Sequence, residues 1–146
     1  MYKHILVPTD GSELAAKAVA AGIEFARQTG ARITAYCAPQ ELHLPHTIRG
    51  DYDRQIKTEF EQHSRESAQK HVAEIAALAK AAGVECDTLV SMADPPYEGI
   101  VEAARKRKCD AIFMSSHGRS GIARLFLGSV TQKVLTHSKI PVFVYR

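Results

Sequence analysis

Acidic side chains are missing from the last quarter of the sequence. From Ala111 to Arg146 there is no Asp or Glu, while Arg119, Arg124, Lys133, Lys139 and Arg146 are all basic. Tryptophan is absent, and the three cysteines, Cys37, Cys86 and Cys109, make neither an even set nor a CxxC pair. That argues against a disulfide framework and a cysteine-based metal site, and points to a reducing, cytoplasmic setting. Long apolar runs are also lacking: none reaches the roughly 20 residues a membrane span requires. The opening "MYKHILVPTD" carries no signal-peptide apolar core or cleavage site. A net charge of +3 is too small for nucleic-acid binding over the whole surface. Neither GxGxxG, nor the GxxxxGK[ST] phosphate loop, nor the GxSxG nucleophile elbow occurs.

What remains is an ordinary globular composition, 45% hydrophobic and 24% charged over 146 residues, which suits one domain. Short apolar runs at 3–8, 31–38, 84–92, 109–116 and 140–146 predict five strands. Helical spacing predicts helices over 12–28, 51–82, from 95 to about 108, and 129–137. Ser12 is placed as an N-cap, Gly30 and Gly83 as stops, and Ser64 and Ser67 as weak points in the long second helix. Asp94-Pro95 reads as a capped helix start, and Ser129-x-x-Gln132 as a capping box. Strands that are apolar rather than alternating, in the order βαβαβαβαβ, predict an open parallel five-stranded sheet with helices on both faces. Ligands bind such sheets outside the carboxyl ends of the strands, so the loops after strands one, two and four come first.

The fourth loop, "MSSHGRSGIARLFLGSV", is rich in Gly and Ser and carries basic side chains. Gly118, Gly121 and Gly128 permit close approach to backbone N–H groups, and the helix that follows presents its positive dipole end. Arg119 and Arg124 add charge, which favours phosphate; plain turn chemistry and helix capping explain the same residues. After strand one, "PTDGS" puts Asp10 at a strand end. Two uses stand open for it: accepting hydrogen bonds from ribose hydroxyls or a base amine, or forming an Asx-turn with Gly11 and Ser12.

These stretches, "ILVPTDGS", "SSHGRSGIARLFLGSVTQKVL" and "IPVFVYR", resemble the universal stress protein superfamily across essentially the whole chain, residues 1–146. Members that bind ATP carry G-x2-G-x9-G-[ST]; Gly118, Gly128 and Ser129 match its later part, and Ser115 stands where the first glycine belongs. The resemblance implies a flavodoxin-like α/β domain, of the adenine nucleotide alpha hydrolase-like type. It implies a stress-response regulatory module that binds ATP, with Mg²⁺ as an accompanying ion, and hydrolyses little of it. Asp10 and the Ala38 backbone would hold the adenine and ribose end, and Gly118, Gly128, Ser129 and Val130 the phosphates. Pro8, Thr9, Met114, Ser115, His117 and Arg119 complete the expected cleft. A homodimer paired through the last strand is also implied, with no nucleic-acid or membrane partner. The competing expectation is a dimeric interaction protein of the same fold in which Ser115 has closed the site.

Other constellations argue less. His43 and His46 near Glu41 lie in a proline-containing loop, which reads as solvated rather than as a dedicated metal site. The cysteines read as small buried apolar groups, and "ARKRKC" as the basic end of a helix. Leu125, Phe126 and Leu127 read as core or dimer contacts. An enzymatic role would fall to His117 or Cys37.

Overall fold

The computed structural model describes residues 1–45, 47, 50–119 and 127–146. Five strands and four helices alternate: β1 (His4–Pro8), α1 (Glu13–Thr29), β2 (Arg32–Cys37), α2 (Asp51–Ala81), β3 (Cys86–Val90), α3 (Pro96–Lys106), β4 (Ala111–Ser115), α4 (Ser129–His137) and β5 (Val142–Tyr145). The strands lie in the order β3-β2-β1-β4-β5, and every pairing is parallel. The chain therefore winds outward from β1 to β3, crosses back beside β1, and continues to β5.

This reversal decides which helices cover which face. Ile5, Val7, Ile33, Ala35 and Cys37 pack with Val19, Ile23 and Ala26 of α1 and Val72, Ile75 and Ala79 of α2. Their strand neighbours Leu6, Tyr36, Ile112 and Met114 pack instead with Ile100 and Ala103 of α3 and Val134 of α4. Central strands covered on both sides are largely apolar; β1 is buried throughout, and its polar member His4 lies 2.8 Å from the Thr34 hydroxyl of β2. Each fully buried Val, Leu or Ile contributes roughly 1.5–3 kcal/mol relative to exposure.

The local signals mostly act as read. Ser12 caps α1 through a 3.2 Å hydrogen bond from the Ala15 N–H, and Gly30 ends it in the left-handed region. Helix α2 is continuous as expected, and Ser64 Oγ accepts the Gln40 N–H at 2.6 Å. Two expectations change. Helix α3 has Pro95 at its N-cap with no side-chain cap, since the Asp94 carboxylate points to His43. Ser129 is not a capping-box residue: Gly128 occupies the N-cap, Ser129 lies inside the helix, and Gln132 Nε2 donates to the Leu127 carbonyl at 2.8 Å.

Candidate functional site

The winding reverses between β1 and β4, which opens a crevice at the carboxyl edge of the sheet where their following loops diverge. A cavity of about 730 Å³ lies there, within the range of roughly 300–1,000 Å³ common to small-molecule sites. Every residue expected for the cleft lines it: Pro8, Thr9, Asp10, Ala38, Met114, Ser115, His117, Gly118, Arg119, Gly128, Ser129 and Val130. Gly121, Arg124, Leu125, Phe126 and His46 lie outside the described residues. Leu127 is half-buried and lines the cavity, a place that neither the core nor the dimer reading gave it.

One wall is built on Asp10, and both open uses of this residue bear on its geometry. Its Oδ1 accepts the Ser12 N–H at 2.9 Å, which is the Asx-turn. Its Oδ2 accepts the Arg119 N–H at 2.8 Å, and its carbonyl accepts Arg119 Nε at 2.6 Å. The carboxylate thus ties the first loop to the fourth. An ionised carboxylate has about four acceptor positions, so two accepted bonds leave capacity for ligand hydroxyls. Gly118 is required beside it, because a Cβ there would lie 2.5 Å from Asp10 Oδ2.

The start of α4 forms another part of the lining. Helical geometry leaves the N–H groups of Ser129, Val130 and Thr131 without intrahelical acceptors, since the first such bond runs from the Gln132 N–H to the Gly128 carbonyl. No side chain caps this terminus among the described residues. Two bonds fix its position against β4: Thr131 Oγ1 to the Ser115 carbonyl at 2.9 Å, and the Gly128 N–H to the Ser116 carbonyl at 2.8 Å. A Cβ on Gly128 would come within 3.2 Å of that same Ser116 oxygen. Open N–H groups and a positive dipole end make this wall suited to an anion.

Ser115 also lines the cavity. Its hydroxyl donates to the His117 carbonyl at 2.9 Å, so it is satisfied within its own loop. Neighbouring Ser116 Oγ lies 2.9 Å from His117 Nδ1, which orients that ring. Among the described residues, Arg119 is the one member of the basic C-terminal block that lines the cavity, and Lys133 lies 5.2 Å from the centre of the Tyr97 ring. The start of α4 adds the positive end of its backbone dipole.

Sequence reasoning missed the third side of the cavity. Tyr36, Ala93, Asp94, Pro96 and Ile100 also line it, as do Gln40, Glu41 and His43. The loop after β3 was passed over because β3 is an edge strand whose sequence gives no glycine-rich signal. Tyr36 is almost wholly buried, and its hydroxyl hydrogen-bonds with Ser91. Gly99 packs directly against that hydroxyl. A usable signal was the small residue at Gly99 inside a helix, where only close packing justifies it.

All three thiols are free, and burial pushes Cys37 and Cys109 up to about 11. Burial of this kind lowers the thiolate fraction on which thiol nucleophilicity depends, which argues against Cys37 as a nucleophile. No helix among the described residues is long and apolar enough to cross a membrane.

Comparison with known proteins agrees with this fold. Residues 1–146 match the family described as the universal stress protein family. A universal stress protein of Thermus aquaticus is 33% identical over 150 residues, covering all of both chains. The solved structure of protein MJ0577 of Methanocaldococcus jannaschii shares the fold with a TM-score of 0.79 and 29% identity, over 99% of this chain and 95% of that one. A universal stress protein solved in complex with cAMP has a TM-score of 0.66 and 25% identity, over 99% of this chain and 97% of that one.

Proposed function

The chain belongs to the universal stress protein family over its whole length, and from that premise we propose that it is a regulatory module that binds ATP in the crevice between β1 and β4. The observation that carries the reading is the presence of two unlike kinds of group in one cavity. Asp10 brings acceptor oxygens to its lining, and the start of α4 brings uncapped N–H groups. Such a cavity matches a ligand with hydroxyl donors at one end and phosphate oxygens at the other. The cAMP complex of a relative supports an adenine nucleotide as the class.

In this reading Asp10 and the Ala38 backbone hold the ribose and adenine, while Gly118, Gly128, Ser129 and Val130 surround the phosphates. Pro8, Thr9 and Met114 supply the floor, and His117 and Arg119 flank the phosphate side. Mg²⁺, where present, would reside on the phosphates. Turnover is slow, because the phosphate wall is made of backbone N–H groups and presents no carboxylate base. The thiols, protonated and free, suit a reducing cytoplasm. A homodimer forms through β5, an edge strand whose outer hydrogen-bonding groups need cover.

Equilibrium dialysis against ATP tests the reading. Saturable binding that is lost on Gly128→Val, with a steady-state ATPase below order 1 s⁻¹, is expected. Absence of binding up to millimolar ATP would favour the interaction protein of the same fold. The structure lends that alternative little support at Ser115, whose hydroxyl is engaged with the His117 carbonyl.

A further inference from the structure

At the cavity's rim, three ligand-bearing side chains converge from two separate loops. Glu41 and His43 follow β2, and Asp94 precedes α3. One donor atom from each lies within 4.8 Å of the other two, and all three residues are exposed. His43 Nε2 is 3.2 Å from Asp94 Oδ2. We infer that Glu41, His43 and Asp94 form a binding site for a divalent transition-metal ion of the zinc type.

Geometry carries the inference first. Zinc takes nitrogen and oxygen ligands at about 2.0–2.2 Å, so two ligand atoms of a tetrahedral shell stand about 3.4 Å apart. The His43–Asp94 pair already has nearly that spacing. The widest pair needs to close by a little over 1 Å, a distance that exposed side chains on loops cover by changing rotamer.

Charge carries it next. Two carboxylates held this close repel each other, and a single imidazole leaves the set with net negative charge. A dication removes the repulsion and gains two charge-assisted ligands. The imidazole sets the metal class: it suits zinc, cobalt or nickel, whereas magnesium prefers an all-oxygen shell with several waters. Three protein ligands leave one position open, as in zinc sites that take up a further ligand. That position borders the cavity, because Glu41, His43 and Asp94 all line it. The inference does not depend on what occupies the rest of the crevice.

Isothermal titration of chelator-treated protein with Zn²⁺ alone, without nucleotide, tests it, with Co²⁺ absorption as a second readout. Expected is one ion per chain, a visible tetrahedral Co²⁺ band, and no competition from Mg²⁺. Loss of an outer-shell partner alone weakens metal sites on the order of 10–100-fold, so His43→Ala and Asp94→Asn should each cost about tenfold or more. Both residues are exposed, and circular dichroism of each variant should match the parent. His137→Ala, in α4 and outside the three-residue cluster, should bind as the parent does. Absence of stoichiometric binding, unchanged affinity in both rim variants, or loss in the His137 variant would each overturn the inference.

Discussion

Replacing Gly118 by Ala gives a sharp test of how the two loops are joined. The added methyl would stand 2.5 Å from Asp10 Oδ2, closer than a Cβ approaches an oxygen. That oxygen cannot simply swing aside, because it accepts the Arg119 N–H at 2.8 Å while its partner oxygen accepts the Ser12 N–H at 2.9 Å. A hydrogen bond to a charged group contributes about 1.5–3 kcal/mol when buried. Partial exposure lowers this, so Gly118→Ala should destabilise by about 1–2 kcal/mol. For a domain of this size each kcal/mol moves the melting temperature by about 2–4 °C.

The sign should change when the obstacle is removed. Gly118 is not among the positive-φ glycines, so alanine fits its backbone. In an Asp10→Ala background the same substitution should be neutral or stabilising by about 0.4–1 kcal/mol, through reduced freedom of the unfolded chain. Urea denaturation of the four proteins in this cycle reads the coupling directly. Additivity within about 0.5 kcal/mol would refute the proposed contact.

Three further outcomes follow from other contacts. Gly99→Ala should destabilise by about 1–3 kcal/mol, because its methyl meets the Tyr36 hydroxyl and Ala93, and Tyr36→Phe should restore part of the loss in thermal melts. Ser115→Gly should change ATP affinity by no more than about threefold, roughly 0.7 kcal/mol, since the hydroxyl it removes is spent on the His117 carbonyl; a tenfold gain by calorimetry would show that the hydroxyl obstructs the site. Burial raises Cys37 and Cys109 from the ordinary 9.0 to about 11. The folded state therefore keeps protons that the unfolded chain has released, and stability should be full below pH 9 and fall between pH 9 and about 11. Urea midpoints across that window check this, and Cys37→Ala should flatten the slope; a midpoint independent of pH would contradict it.

Much of the fold was legible because its signals are local. The run "ILVP" is apolar at every position, which suits a strand covered on both faces, and the Ser12 and Gly30 signals bound α1 as they do in the structure. The α4 side of the cavity was legible for a similar reason, since glycine beside a helix start is written in adjacent residues. What escaped depends on distant partners. Asp94 reads as a cap until His43 is seen to hold it, and Gln132 reads as half of a capping box until it is seen on the Leu127 carbonyl. The basic excess of the C-terminal segment misled most. Charge counted along the chain does not say which face each side chain takes, and Lys133 turns to Tyr97 instead of the cleft.

The central claim is that an adenine nucleotide rests its phosphates on the uncapped start of α4. Titrating ¹⁵N-labelled protein with ATP and following its amide resonances tests this most directly. The account requires saturable shifts at Ser129, Val130 and Gly118 below millimolar ATP, with Asp10 and Ala38 responding together with them. Unmoved Ser129 and Val130 amides at millimolar ATP would contradict it.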